Sequence, residues 1–282
     1  MIVLWFVYPG CCHPHFGFPM VQIRVVIKFN RPIPREKLKL LIFDLDGTLV
    51  DSRLDLANSI NAMLRNFGRP ELPLETIASY VGDGAPTLVR RALGDPSDQA
   101  FLSSALEYFL LYYREHKLDH TLVYAGILPA LQQIAAYKNG TPRQLAVLSN
   151  KPVNPSRQIV KALGLGDFFF QVYGGNSFPT KKPDPLGVNT LRNESGCAAE
   201  ETIIIGDSDI DVLTARNAGI WSCGVTYGFA PHSFLPTPPD VLLDSPVELI
   251  ELLHGASDPN SSCNPNGSSN PTSNPAPTAT ST

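Results

Sequence analysis

Four short apolar runs, each ending in a small or polar residue, constrain the fold of this chain more than any other feature. Lys39 to Phe43 runs into Asp44, and Leu145 to Leu148 runs into Ser149. Thr202 to Ile205 runs into Gly206-Asp207, and Ser222 to Val225 into Thr226. Runs this short, rich in branched residues and bounded by turn formers, predict strands buried on both faces, as in a parallel sheet. Helical stretches fall between them, Asn154 to Leu163 after the second run and Asp209 to Ala218 after the third. The alternation predicts an α/β fold, a Rossmann-like parallel sheet flanked by helices. Ligands of such sheets bind at the carboxyl ends of the strands, which is the edge where these polar residues fall.

The stretch from Ser52 to Ala125 is too long for a simple crossover and is rich in helix formers. Apolar residues recur at helical spacing in Leu54, Ala57, Ile60, Met63, Leu64 and Phe67, and again in Phe101, Leu102, Ala105, Leu106, Phe109 and Leu110. This predicts a small helical domain with its own packed core. The expected division is therefore a disordered or misannotated leader over 1–36, a core over 37–51 and 126–255, a helical cap over 52–125, and a disordered tail over 256–282. The tail is Ser, Asn, Pro and Thr with few apolar residues, a composition that cannot offset the entropy of ordering. In the leader, Met1 to Tyr8 is apolar but far too short to span a bilayer, and Met20 is an alternative start. Cys11-Cys12-His13-Pro14-His15 lacks a second group of ligands, so a metal cluster there is not expected.

A formal net charge of -4 argues against a nucleic-acid partner. An acidic chain that binds phosphate must gather cations locally, from Lys, Arg or a metal. Five cysteines without a C-x-x-C pair suggest neither a disulfide framework nor a zinc site, and a cytoplasmic protein is expected. The first run leads into Asp44-Leu45-Asp46-Gly47-Thr48. Two acids this close near one point repel each other unless a cation sits between them.

Asp-x-Asp-Gly-Thr after an apolar strand resembles the opening of the haloacid dehalogenase superfamily. That resemblance implies that Asp44 is the nucleophile toward phosphorus and Asp46 the general acid and base. Three further signatures follow in order. Ser149, in Leu148-Ser149-Asn150-Lys151-Pro152, matches the hydroxyl that holds a phosphate oxygen, with Asn150 beside it. Thr180-Lys181-Lys182-Pro183 supplies the lysine; register favours Lys182, and Lys181 is a competitor. Gly206-Asp207-Ser208-Asp209-Ile210-Asp211 supplies an acidic pair. The resemblance implies Mg²⁺ held by Asp44, Asp46 (through its main-chain carbonyl) and Asp207. Asp211 would then support Lys182 or a metal-bound water, while Asp209 lies off this register and is expected to be solvated or to cap the next helix.

Within the superfamily, these segments together with Val81-Gly82-Asp83-Gly84 and Val225-Thr226-Tyr227-Gly228 most resemble the bacterial phosphoglycolate phosphatase group. Gly82, Asp83 and Gly84 are expected to form the cap loop that reaches the site; Arg90 and Arg91 are candidates for steering a substrate carboxylate, with lining of the cap surface as the alternative for one or both. The implied activity is Mg²⁺-dependent hydrolysis of a small phosphorylated metabolite through an aspartyl-phosphate, with 2-phosphoglycolate as the expected substrate. A pyrophosphatase, a sugar-phosphate phosphatase and a β-phosphoglucomutase-type enzyme are the alternatives of the same type. A non-catalytic binding protein on the same fold is the alternative of a different class.

Overall fold

The computed structural model describes residues 27–136 and 142–254. In chain order it begins with β1 (Lys28–Phe29), β2 (Leu40–Phe43) and β3 (Val50–Asp51). Four helices follow: α1 (Arg53–Asn66), α2 (Leu74–Ala78), α3 (Ala85–Ala92) and α4 (Gln99–His116). The chain then returns through β4 (Leu122–Val123), α5 (Ile127–Ala136), β5 (Gln144–Leu148), α6 (Val153–Ala162) and β6 (Gln171–Tyr173). It continues with α7 (Leu186–Ser195), β7 (Thr202–Gly206), α8 (Asp209–Ala218), β8 (Trp221–Val225), β9 (Val241–Leu243) and α9 (Glu248–His254).

Seven of these strands form one sheet in the order β1-β9-β8-β7-β2-β5-β6. All neighbours are parallel except β1, which runs antiparallel to β9. The first strand of the parallel core, β2, therefore lies between β5 and β7, so the chain ends that follow these three strands emerge side by side. Residue parity explains why the apolar runs are continuous. Leu41 and Phe43 of β2 pack on one face with Ile127 and Leu131 of α5 and Ile159 of α6. Leu40 and Ile42 pack on the other with Val188 and Leu191 of α7 and Ala215 of α8. A strand covered on both sides has no position at which a polar side chain is free.

The helices α1 to α4 close a separate apolar core in which Ile60, Met63, Ile77, Leu88 and Phe109 are buried. Leu54 and Leu110 are exceptions to the helical-core expectation: they are 43% and 37% exposed. The two-stranded pair β3–β4 carries the chain out to these helices and back. Asp55, at the start of α1, is buried and accepts hydrogen bonds from the amides of His120 and Thr121 and from the Thr121 hydroxyl. It fastens the exit of the helical unit to its entrance.

The structure revises the expected leader. Lys28–Phe29 is part of the sheet and Ile33 is buried in the main core, so residues 28–36 belong to the fold. A strand of two residues, both exposed, is too short to write a burial pattern of its own in the sequence. The cysteine–histidine cluster, Met20 and the 256–282 tail lie outside the described residues. Among the described residues, no helix is long and apolar enough to cross a membrane.

Candidate active site

The loops after β2, β5 and β7 bring their polar residues to one point at the sheet edge. One carboxylate oxygen from each of Asp44, Asp207 and Asp211 lies within 4.8 Å of the others, and all three residues are buried. Lys182 enters from the segment before α7. Its Nζ stands 2.6 Å from Asp211 Oδ1 and 3.1 Å from Asp44 Oδ1. Lys181 turns away, and its ammonium donates to the main-chain oxygen of Asp83 in the cap loop. Of the two candidate lysines, Lys182 therefore stands in the acid cluster.

Asp211 also accepts from the amide and hydroxyl of Ser208, which occupies the N-cap position of α8. A helix's third residue reaching back to its cap in this way satisfies donors that the first turn leaves free. Ser208, rather than Asp209, caps the helix. The Asp209 amide takes the Ser233 hydroxyl as acceptor. Asp207 accepts from the Phe229 amide at 2.7 Å. Gly47, with φ at +83°, lies so close that a Cβ there would sit 2.2 Å from an Asp207 oxygen.

The Asp46 side chain is not part of this acid cluster. It accepts from Ser52 Oγ at 2.5 Å and from Lys151 Nζ at 2.9 and 3.1 Å. Nothing in the linear spacing marks Lys151, or Ser52 and the Phe229 amide, as site groups; the Lys after Ser149-Asn150 is the only visible hint. Ser149 is buried at the end of β5, and its hydroxyl helps to hold down the pKa of Asp44. Asn150 also links two segments of the site. Its side-chain amide donates to the main-chain oxygens of Gly82 and Lys182, both at 3.0 Å, joining the cap loop to the lysine segment. Geometry explains this, because both carbonyls face the end of β5 and would otherwise lack a donor there.

Gly82 and Gly84 line the cavity above the acids, together with Val81, Leu88, Phe109 and Tyr113 from the helical unit. A Cβ on Gly84, at φ +83°, would meet the Asn150 carbonyl oxygen at 2.9 Å, so close docking of this loop requires glycine. Asp83 pairs with Arg91 at 2.7 Å, and Arg91 also donates to the Tyr80 carbonyl oxygen. Arg90 is exposed. Neither arginine lines the cavity, which favours the cap-surface alternative for both. The pairing within the cap loop has taken up Arg91.

The electrostatics follow from burial. Asp207 is pushed up to about 8 by desolvation, then by the nearby charges of Asp44 and Asp211, against the Phe229 amide and Lys182. Asp44 is pushed up to about 6, again chiefly by desolvation; Lys182, Ser149 and the Leu45 amide pull it back. Burial works against the Lys182 ammonium, yet Asp211 and Asp44 hold its pKa above the ordinary lysine value. Four buried acids (Asp44, Asp46, Asp207, Asp211) against two buried lysines (Lys151, Lys182) leave a formal excess of negative charge. A hard divalent cation on the oxygens of Asp44 and Asp207 would neutralise it, and the all-oxygen donor set suits Mg²⁺. The residues present thus fit the implied ion.

Two expected results follow from this balance. Lys182→Met leaves Asp44 and Asp211 facing each other without their shared cation. Removing one partner of a buried pair costs about 3–5 kcal/mol, so chemical denaturation of the metal-free variant should show a loss of about that size. The second concerns pH. A carboxyl whose folded pKa is raised holds protons that the unfolded chain has released, so stability falls as pH rises between the two values. For Asp207 that window runs from the ordinary carboxylate value of 3.8 to about 8. In chelator, melting should therefore occur about 5 °C higher at pH 6 than at pH 8. Mg²⁺ should narrow this difference by stabilising the pH 8 sample, and Asp207→Asn should lack it. Scanning calorimetry reads all three.

Residues 41–225, more than half of the chain, match the family model for haloacid dehalogenase-like hydrolases. The chain belongs to this family. A phosphoglycolate phosphatase of Chromobacterium violaceum is 38% identical over 220 residues, covering 77% of this chain and 96% of that protein. One from Pseudomonas putida is 35% identical over 238 residues, covering 82% and 84%. Among solved structures, a predicted phosphoglycolate phosphatase from Haemophilus somnus superimposes with a TM-score of 0.71 at 29% identity, covering 77% of this chain and 98% of its own. As a haloacid dehalogenase-like hydrolase with these relatives, the chain is an enzyme of the phosphoric monoester hydrolase class, and its helical unit corresponds to the cap of that family.

Proposed function

We propose that this enzyme hydrolyses 2-phosphoglycolate to glycolate and phosphate through an aspartyl-phosphate on Asp44, with Mg²⁺ as its cofactor. The observation that carries the reading is the buried set in which Lys182 bridges Asp44 and Asp211 while Asp207 joins the same cluster. Such a set has charge in excess on its own and is suited to receiving phosphate once a cation is present. Asp44, the Asp46 main-chain carbonyl and Asp207 would hold Mg²⁺, which supplies positive charge for the phosphoryl oxygens.

The chain's own groups carry the rest. Asp44 attacks phosphorus, and the bond to the leaving oxygen breaks as the new oxygen–phosphorus bond forms. Asp46 gives its proton to the leaving alcohol, then takes one from the water that attacks the acyl phosphate. Lys182 and the Ser149 hydroxyl balance charge on the transferring group. Asp211 holds Lys182 in place. A helical cap over 52–125 gives this chemistry a cover that excludes water. The two described cysteines, Cys197 and Cys223, are buried free thiols, in keeping with the reducing cytosol we assign to the enzyme.

The substrate rests on the relatives' names, since the acids and Lys182 recognise only the phosphoryl group. Phosphate release from 2-phosphoglycolate, pyrophosphate and hexose phosphates, with and without Mg²⁺, tests it. The expected result is a preference for 2-phosphoglycolate that disappears in chelator. Strong preference for pyrophosphate or a hexose phosphate would overturn the substrate, and turnover undiminished in chelator would overturn the cofactor.

A further inference from the structure

The cavity above the acids is mostly apolar on its cap side, where Leu56, Val81, Leu88 and Phe109 face it. Two features break that surface. Lys151 is the cationic side chain that lines the cavity among the described residues, and it is buried. Tyr113, from the last turns of α4, is 4% exposed, and its O–H finds no acceptor. The Lys151 ammonium lies 4.5 Å from the centre of the Tyr113 ring, so the two groups sit side by side. A buried O–H without an acceptor costs free energy, and it stands where a ligand could supply one.

We propose that Lys151 and the Tyr113 hydroxyl together read a carboxylate on the organic half of the substrate. The inference rests on the phosphatase reading and adds to it the residues that select the leaving group. Lys151 already contacts both oxygens of Asp46, the residue assigned to protonate the ester oxygen. An ammonium has three N–H donors; two go to Asp46, and the third, on the side of Tyr113, can be taken over by a carboxylate placed between the two groups. A carboxylate bound by that lysine must lie close to the ester oxygen, on the adjacent carbon. The chemical class is therefore a 2-phospho carboxylate with a short chain. Larger or uncharged leaving groups would meet the apolar wall and leave the Tyr113 O–H without an acceptor. Asp46 and the Tyr113 face hold Lys151, so the fold itself positions it.

The test compares kcat/KM for 2-phosphoglycolate with that for ethyl phosphate, which has a leaving group of similar size without the carboxylate. In the Mg²⁺-loaded parent enzyme, 2-phosphoglycolate should be preferred. Tyr113→Phe removes only the hydroxyl and should reduce that preference about tenfold, chiefly through KM, the scale of one hydrogen bond to a charged group. Inhibition by glycolate should weaken in parallel. Lys151→Gln should reduce the preference further, even though it also disturbs Asp46 and slows both esters. An unchanged preference ratio in both folded variants would overturn the inference while leaving the substrate assignment standing. A parent enzyme without preference for 2-phosphoglycolate would overturn both.

Discussion

Asp44→Asn is expected to release phosphate from its best substrate at least about a thousandfold more slowly than the parent enzyme, because an amide cannot serve as the attacking oxygen. The parent residue is well placed for attack. It is buried, its backbone continues β2, and the Leu45 amide at 2.7 Å fixes its Oδ1. Lys182 holds the same oxygen. The variant should nonetheless fold, since Lys182 keeps its shorter contact to Asp211. A variant that melts normally and has lost turnover separates a chemical role from a structural one. Activity near the parent level would remove Asp44 as nucleophile.

Asp46→Asn should cost about 10²–10⁴-fold with an alkyl phosphate, the usual worth of a positioned acid–base group. The loss should depend on the leaving group. A nitrophenolate departs without needing a proton, so the first step with p-nitrophenyl phosphate should survive much better than the second. The variant should then show a burst of nitrophenolate equal to the enzyme present, followed by slow turnover. Equal losses with both esters and no burst would mean that Asp46 serves neither step as assigned. Its surroundings support the role: Ser52 and Lys151 hold the carboxylate apart from the acid cluster, so it is oriented independently of the nucleophile.

Much of this arrangement is legible in the sequence, for a physical reason. Strands β2, β5, β7 and β8 are buried on both faces, so each writes a continuous apolar run, and the polar residue that ends it marks the functional edge. Asp44, Ser149 and Asp207 are located this way, and Lys182 by its place before Pro183. The outer strands leave no such mark. Lys28–Phe29 is exposed on both side chains, and β6 is only partly buried. Pairing across the fold is also invisible: Lys151 and Asp46 are 105 residues apart. A helix-borne arginine looks the same in sequence whether it faces a ligand or a neighbouring Asp, so Arg91 and its pair with Asp83 could not be told from a substrate contact. Main-chain groups such as the Phe229 amide carry no side-chain signature at all.

The most direct measurement is to trap the phosphorylated enzyme. Asp46→Asn is mixed with p-nitrophenyl phosphate and Mg²⁺, quenched in acid, digested and read by peptide mass spectrometry. The account predicts one phosphoryl group on the peptide containing Asp44, absent when chelator replaces Mg²⁺. Nitrophenolate release with Asp44 unmodified, or a phosphoryl group on a different residue, would contradict it.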